Sequence, residues 1–283
     1  MSNLSVPSSV ELISVHIPKT AGSTFGYMVL PQIYPPNQIL YDYENLPIKT
    51  LLQKGQLTEE IRVIHGHFPA KKYREYYKNA KMVIWLRNPI LLLISAYYFW
   101  FSFKDNFFSE QHRYVVENKV NLAEFSENAP GNVLSNYYAK GMKLTDFYFV
   151  GIQEFFRDDL NDIKNNLGWP PLKVLSSNRN SYDNYQDKVM DTLKNQSLID
   201  KIVAFNSADM KLYKEALHLR YQRKGLSNFI EMYEQSLKES QSRLSSNSCQ
   251  KPKLNKCSSL GSGQGGQSSI CNEVLFHSTD LRP

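Results

Sequence analysis

An α/β fold, in which helices flank a central parallel sheet of about five strands, is what this 283-residue sequence predicts. Three observations carry the prediction. Short apolar runs (Ile13 to Ile17, Arg62 to Ile64, Met82 to Leu86, Phe147 to Ile152) alternate with helical segments. The runs in the first half are apolar throughout, as strands covered on both faces are. Three of them stop at residues that break a strand and bear chemistry: Pro18-Lys19, His65-Gly66-His67 and Arg87-Asn88-Pro89. Ligands of such sheets sit beyond the carboxyl ends of the strands.

Taken in order, the first strand holds Ile13, Val15 and Ile17 and breaks at Pro18 and Gly22. Ser23 and Thr24 are favourable first residues for a helix carrying Phe25, Tyr27, Met28 and Val29. Pro31, Pro35 and Pro36 mark an irregular stretch that holds Tyr34, Tyr41 and Tyr43. Leu46 to Leu57 predicts a short helix, and a charged, tyrosine-rich helix is expected from about Ala70 to Asn79. Asn88 caps, and Pro89 opens, a helix to about Phe103 that is apolar on nearly every face and therefore buried. Lys104 to Asn128 reads as partly helical. An amphipathic helix spans Glu154 to Leu167, Lys173 to Leu175 is the expected fifth strand, and helical pattern returns from Gln186 to about Gln222.

The formal net charge of +6 is mild for the length, with acidic residues spread along the chain, which argues against a dedicated nucleic-acid binder. Cys249, Cys257 and Cys271 have neither metal-ligand spacing nor an even count, so neither a metal nor a disulfide framework is expected. No apolar run reaches the ~18 residues of a membrane span. The start, MSNLSVPSSVEL, lacks a basic and then apolar leader, and the expected location is cytoplasmic. Between Ser240 and Ser269 ten of thirty residues are serine, with no apolar period. Such a segment cannot bury enough surface to offset its ordering entropy. The expected organisation is a domain over 8–235 and a disordered, flexible tail over 236–283.

The stretch Ile13 to Thr24, ISVHIPKTAGST, carries the first functional signal. A strand, loop and helix start aims free backbone N–H groups and the positive end of the helix dipole at one point, which suits an anion, phosphate above all. Lys19 adds a full charge. It is not a Walker A loop, whose glycine precedes the lysine. The second signal is Arg87 at a strand end with Ser95 two helical turns later, a guanidinium fork and a hydroxyl able to meet one anion. The third is His65-Gly66-His67. A histidine near its ordinary pKa of ~6.5 is neutral at pH 7 and accepts a proton readily. His16, inside the first strand, reads equally well as a core histidine.

The order P-K-T-x-G-[ST]-T resembles the 5′-phosphosulfate loop of sulfotransferases that use 3′-phosphoadenosine 5′-phosphosulfate (PAPS), and HIPKTAGSTF is most similar to carbohydrate O-sulfotransferases of the heparan 2-O and 6-O type. The resemblance implies a P-loop-like three-layer domain and sulfuryl transfer to an acceptor hydroxyl. In it Lys19 stabilises charge on the leaving phosphate, and Thr20, Ala21, Gly22, Ser23 and Thr24 hold the 5′-phosphate. Arg87 and Ser95 hold the 3′-phosphate, His67 is the base, and His65 is its helper or an acceptor contact. Arg179, in Asn178-Arg179-Asn180-Ser181, is similar to the segment that closes over the nucleotide. No metal is required. The resemblance implies a glycan acceptor, to which Lys71, Lys72 and Arg74 add a charge run suited to an anionic one; a lipid or small-molecule alcohol is the other acceptor class open at this point. Arg223-Lys224-Gly225 begins like the R-K-G-x-x-G element of the phenol and steroid enzymes, but Asn228 replaces its last glycine. The rival readings are a P-loop-like nucleotide kinase and a non-catalytic nucleotide-binding scaffold.

Overall fold

The computed structural model describes residues 6–103, 107–173 and 182–225. Arg179 and the segment 236–283 lie outside the described residues. Five strands, β1 (Leu12–Val15), β2 (Ile39–Asp42), β3 (Val63–Gly66), β4 (Lys81–Leu86) and β5 (Phe149–Ile152), pair in parallel in the order β2-β3-β1-β4-β5. The register sets Ser14 beside His65 and Val15 beside Gly66, so β1 and β3 finish level with each other.

Of the expected strand Lys173 to Leu175 only Lys173 is among the described residues, outside any strand, and the described sheet has Ile39–Asp42 as an edge beside β3. Four residues with tyrosine in their midst, directly after Pro35 and Pro36, give a weak strand signal, and pairing to Val63–Gly66 supplies what local propensity does not.

Side-chain alternation sorts the two faces. Ile13, Val15, Ile64, Ile84 and Val150 join Tyr213 and Leu217 of the helix Ser207–Lys224 in one core. Leu12, Val63, Val83, Trp85 and Phe149 join Phe25, Val29 and Phe156 in the other. Both faces are covered, which is why these strands are mainly apolar. At the carboxyl edge the second face continues in polar residues: Ser14 and His16, His65 and His67, Tyr41 and Tyr43.

After β1 the helical path is Gly22–Thr24, then a wide turn at Phe25–Val29 and a tight one at Leu30–Gln32, rather than one uniform helix. The helix Pro89–Phe101 follows β4, with the Asn88 side chain accepting from the N–H groups of Ile90 at 3.0 Å and Leu91 at 3.4 Å. Buried Asp159 ties the last described helix to the sheet, accepting from Ile152 N at 2.9 Å, Arg220 Nε at 2.8 Å and Arg223 Nη2 at 3.1 Å. No described helix is long and apolar enough to cross a membrane.

Candidate active site

Between β1 and its helix the chain turns through His16 to Ala21. Lys19 and Ala21 both take left-handed backbone angles, φ 68° and 66°. For residues with a Cβ this conformation is strained by about 1 kcal/mol or more each. The turn is held where Thr20 Oγ1 donates to Ile17 O at 2.8 Å and Phe25 N donates to Ala21 O at 3.0 Å. The N–H groups of Gly22, Ser23 and Thr24 fall in the first turn, where a helix offers them no acceptor. From the sequence, an anion is expected at this turn.

Arg87, just past β4, reaches across to it: Nη1 donates to the Lys19 carbonyl at 3.0 Å. The two charged strand ends are therefore neighbours. Arg87 Nε is buried and has no hydrogen-bond partner, leaving a donor for a ligand. Buried Glu154 accepts from Asn88 N at 3.0 Å and from the Tyr213 hydroxyl at 3.3 Å. Burial raises its carboxyl above the usual range, while the Arg87 charge pulls the other way. Ser95 is buried in the helix that Asn88 caps. The Lys19 ammonium lies over the Phe99 ring, 3.8 Å from its centroid.

On the other side of β1 three histidines pack together. The His16 and His65 rings stack with centroids 5.0 Å apart, and His16 and His67 lie 4.5 Å apart. The first helical turns sit on these rings, and two glycines let them. A Cβ on Gly22 would fall 1.8 Å from His16 Cδ2, and one on Gly26 would fall 2.2 Å from His65 Nε2. His65 Nδ1 pairs with Ser14 Oγ at 2.8 Å, His16 Nδ1 meets the Tyr43 hydroxyl at 3.4 Å, and His67 N donates to Asp42 O at 3.0 Å. Nε2 of both His65 and His67 is buried without a partner.

Burial pushes His65 and His67 down to about 3, and His16 well below its ordinary value. His67 was expected near 6.5. The shift arises because its ring neighbours are the His16 imidazole and the Tyr43 ring rather than a carboxylate. All three rings are neutral at pH 7, so the His67 lone pair is available.

The structure thus gathers Lys19, Thr20, Ala21, Gly22, Ser23, Thr24, Arg87, His65 and His67 around one end of β1, with Ser95 on the adjoining helix. Arg179 lies outside the described residues. Of the aromatic run, Tyr98 and Trp100 are core, and Phe99 underlies Lys19. Arg223 and Lys224 are bound to Asp162, at 3.2 and 2.7 Å, and Gly225 closes their helix at φ 61°, which gives Arg223-Lys224-Gly225 a structural role. Sequence reasoning missed Glu154, although it too follows a strand end, and Tyr43. It left open the role of His16, which alternation with Ser14 places on the same face as His65.

Residues 30–157 match the family model described as Sulfotransferase domain. That segment is similar to the sulfotransferase domain. The matched segment contains β2 to β5, Arg87, Ser95 and both His65 and His67, while the Lys19 loop precedes it. A mouse sulfotransferase, SULT7A1, solved in complex with PAP, is similar at 16% identity and a TM-score of 0.33, over 65% of this chain and 63% of the mouse protein. The chain thus spans under two thirds of that relative. No curated protein matches the sequence.

Proposed function

We propose that this chain is a PAPS-dependent O-sulfotransferase, transferring a sulfuryl group to a hydroxyl of a carbohydrate acceptor. The observation that supports the reading is the Arg87 guanidinium on the Lys19 carbonyl, which makes these two strand ends neighbours. A doubly phosphorylated adenosine fits them: the first-turn amides and Lys19 receive one phosphate, and the unspent Arg87 Nε, with Ser95, receives the other.

The nucleotide supplies an activated sulfuryl group on its 5′-phosphate. Lys19 lowers the barrier by placing positive charge where the leaving phosphate oxygen gains negative charge. His67 takes the acceptor proton at Nε2 as the hydroxyl oxygen bonds to sulfur and the sulfur–oxygen bond to the phosphate breaks. Negative charge bound beside the loop favours the imidazolium and so lifts His67 from its depressed pKa when a base is needed. The buried surroundings exclude water, which would compete as acceptor.

Calorimetry with PAP, together with transfer of labelled sulfate from PAPS, tests this. His67→Ala is expected to keep nucleotide affinity within about twofold and to lose turnover by about 10²- to 10⁴-fold. Binding of ATP with Mg²⁺ and none of PAP would refute it in favour of a kinase.

A further inference from the structure

The sulfuryl transfer proposed above makes no use of Glu154, a carboxylate only 2% exposed. Parallel register accounts for its place. Leu86 pairs with Ile152 at the ends of β4 and β5, so Asn88 and Glu154, each two residues further on, come level. The carboxylate is fixed at both oxygens: Oε1 accepts from Asn88 N at 3.0 Å and Oε2 from the Tyr213 hydroxyl at 3.3 Å. Tyr213 is itself fully buried, in the helix Ser207–Lys224. One side chain thus joins the ends of two strands to a helix packed on the sheet.

The joint it holds lies between the two groups assigned to one phosphate. Arg87 directly precedes Asn88, and Ser95 stands two helical turns beyond it. Asn88 sets the start of that helix, since its side chain accepts from the N–H groups of Ile90 and Leu91 while Pro89 has none to give. A shift of Asn88 therefore moves the Arg87 guanidinium and the Ser95 hydroxyl relative to each other. On its far side the guanidinium is held by the Lys19 carbonyl, 3.0 Å from Nη1, with Nε buried and unpartnered. Packing alone does not call for a carboxylate here, because taking one out of water is unfavourable and an apolar side chain of similar volume fills the same space. What an apolar side chain lacks is an acceptor for the buried N–H of Asn88.

We infer that Glu154 is a positioning residue for the phosphate site: by holding Asn88 N it keeps Arg87 and Ser95 aimed at one phosphate, and so sets the preference for a nucleotide that carries a 3′-phosphate. This rests on the sulfotransferase reading above and adds a residue to it. Glu154 acts through the backbone of Asn88, and a binding constellation tolerates displacements of only about 0.5 Å. The 5′-phosphate, received at the Lys19 loop, does not depend on this joint.

The test is calorimetry on the full chain with PAP and with adenosine 5′-monophosphate, which lacks the 3′-phosphate. The parent is expected to bind PAP at least about tenfold tighter than the monophosphate. Glu154→Met keeps the volume and removes the acceptor; it should raise the PAP Kd about five- to thirtyfold and leave the monophosphate Kd within about twofold. Glu154→Gln, whose amide oxygen still accepts from Asn88 N, should bring the PAP Kd back to within about threefold of the parent. A general loss of structure would weaken both nucleotides together. Equal weakening of the two, an unchanged PAP Kd in Glu154→Met, or a Glu154→Gln as weak as Glu154→Met overturns the inference and leaves the sulfotransferase reading standing. Should Glu154→Met not fold, Tyr213→Phe decides: it removes the donor to Oε2 and keeps the ring in the core, and its PAP Kd should rise about two- to fivefold with the monophosphate unchanged. An unchanged PAP Kd there overturns the inference. A parent that prefers neither nucleotide overturns the sulfotransferase reading and the inference with it.

Discussion

Arg87 has a hydrogen-bonded partner and a charged neighbour, and removing it does two things. Its guanidinium donates to the Lys19 carbonyl and faces buried Glu154. In Arg87→Ala buried Glu154 keeps Asn88 N and the Tyr213 hydroxyl but loses the charge that favours its carboxylate. Losing that charge and the hydrogen bond to the Lys19 carbonyl costs about 1–3 kcal/mol, enough to unfold part of a marginally stable population and to mimic loss of binding. The informative variant is therefore Arg87→Met with Glu154→Gln, which removes both charges, keeps similar volume and leaves the Gln oxygen to accept from Asn88. Its stability, by urea denaturation, should lie within about 2 kcal/mol of the parent, since neither substituted group leaves a buried charge uncompensated. Its PAP affinity should nevertheless fall. A charge-assisted hydrogen bond is worth about 1.5–3 kcal/mol, which is about a 10- to 150-fold rise in Kd by calorimetry. A folded double variant that binds PAP within twofold of the parent would refute the placement of a phosphate at Arg87.

Three further outcomes follow from the same geometry. Gly22→Ala drives a methyl into the His16 ring and should cost about 1–3 kcal/mol; in a double-mutant cycle His16→Ala should recover much of that, and strict additivity would show that the contact is absent. Lys19→Ala should reduce turnover by about 10²- to 10³-fold while changing PAP affinity less, because the amides of Gly22, Ser23 and Thr24 remain; equal losses in the two would place Lys19 in binding alone. For acid stability the sign is fixed by His65 and His67, held at about 3 when folded against ~6.5 unfolded. The unfolded chain binds protons first as pH falls, so stability present above pH 6.5 is lost on the way down, by about 2 kcal/mol per histidine at pH 5. His67→Gln should flatten the slope of urea midpoint against pH; a slope identical to the parent's would mean that His67 is not buried neutral.

Most of the sheet was legible because β1, β3, β4 and β5 are buried on both faces and are therefore mainly apolar. β2 was not, because an edge strand needs only one neighbour, and its tyrosines belong to the rim. The Lys19 loop and Arg87 were legible for a related reason. In a parallel sheet polar and charged residues collect where the strands stop, and Arg87 there reaches the Lys19 carbonyl. The histidine pKa values were not legible, since desolvation depends on what covers the ring. Here the cover is the helix start itself, brought down by Gly22 and Gly26, so these glycines also favour neutral His16 and His65. The roles of Lys72 and Arg74 escaped for the converse reason: Asp42 and the carbonyls of Lys78 and Asp146 that bind them come from elsewhere in the chain or from beyond the helix. A charge run therefore predicts an anionic partner only where the fold leaves the charges unspent, and here Lys72 and Arg74 are spent within the chain.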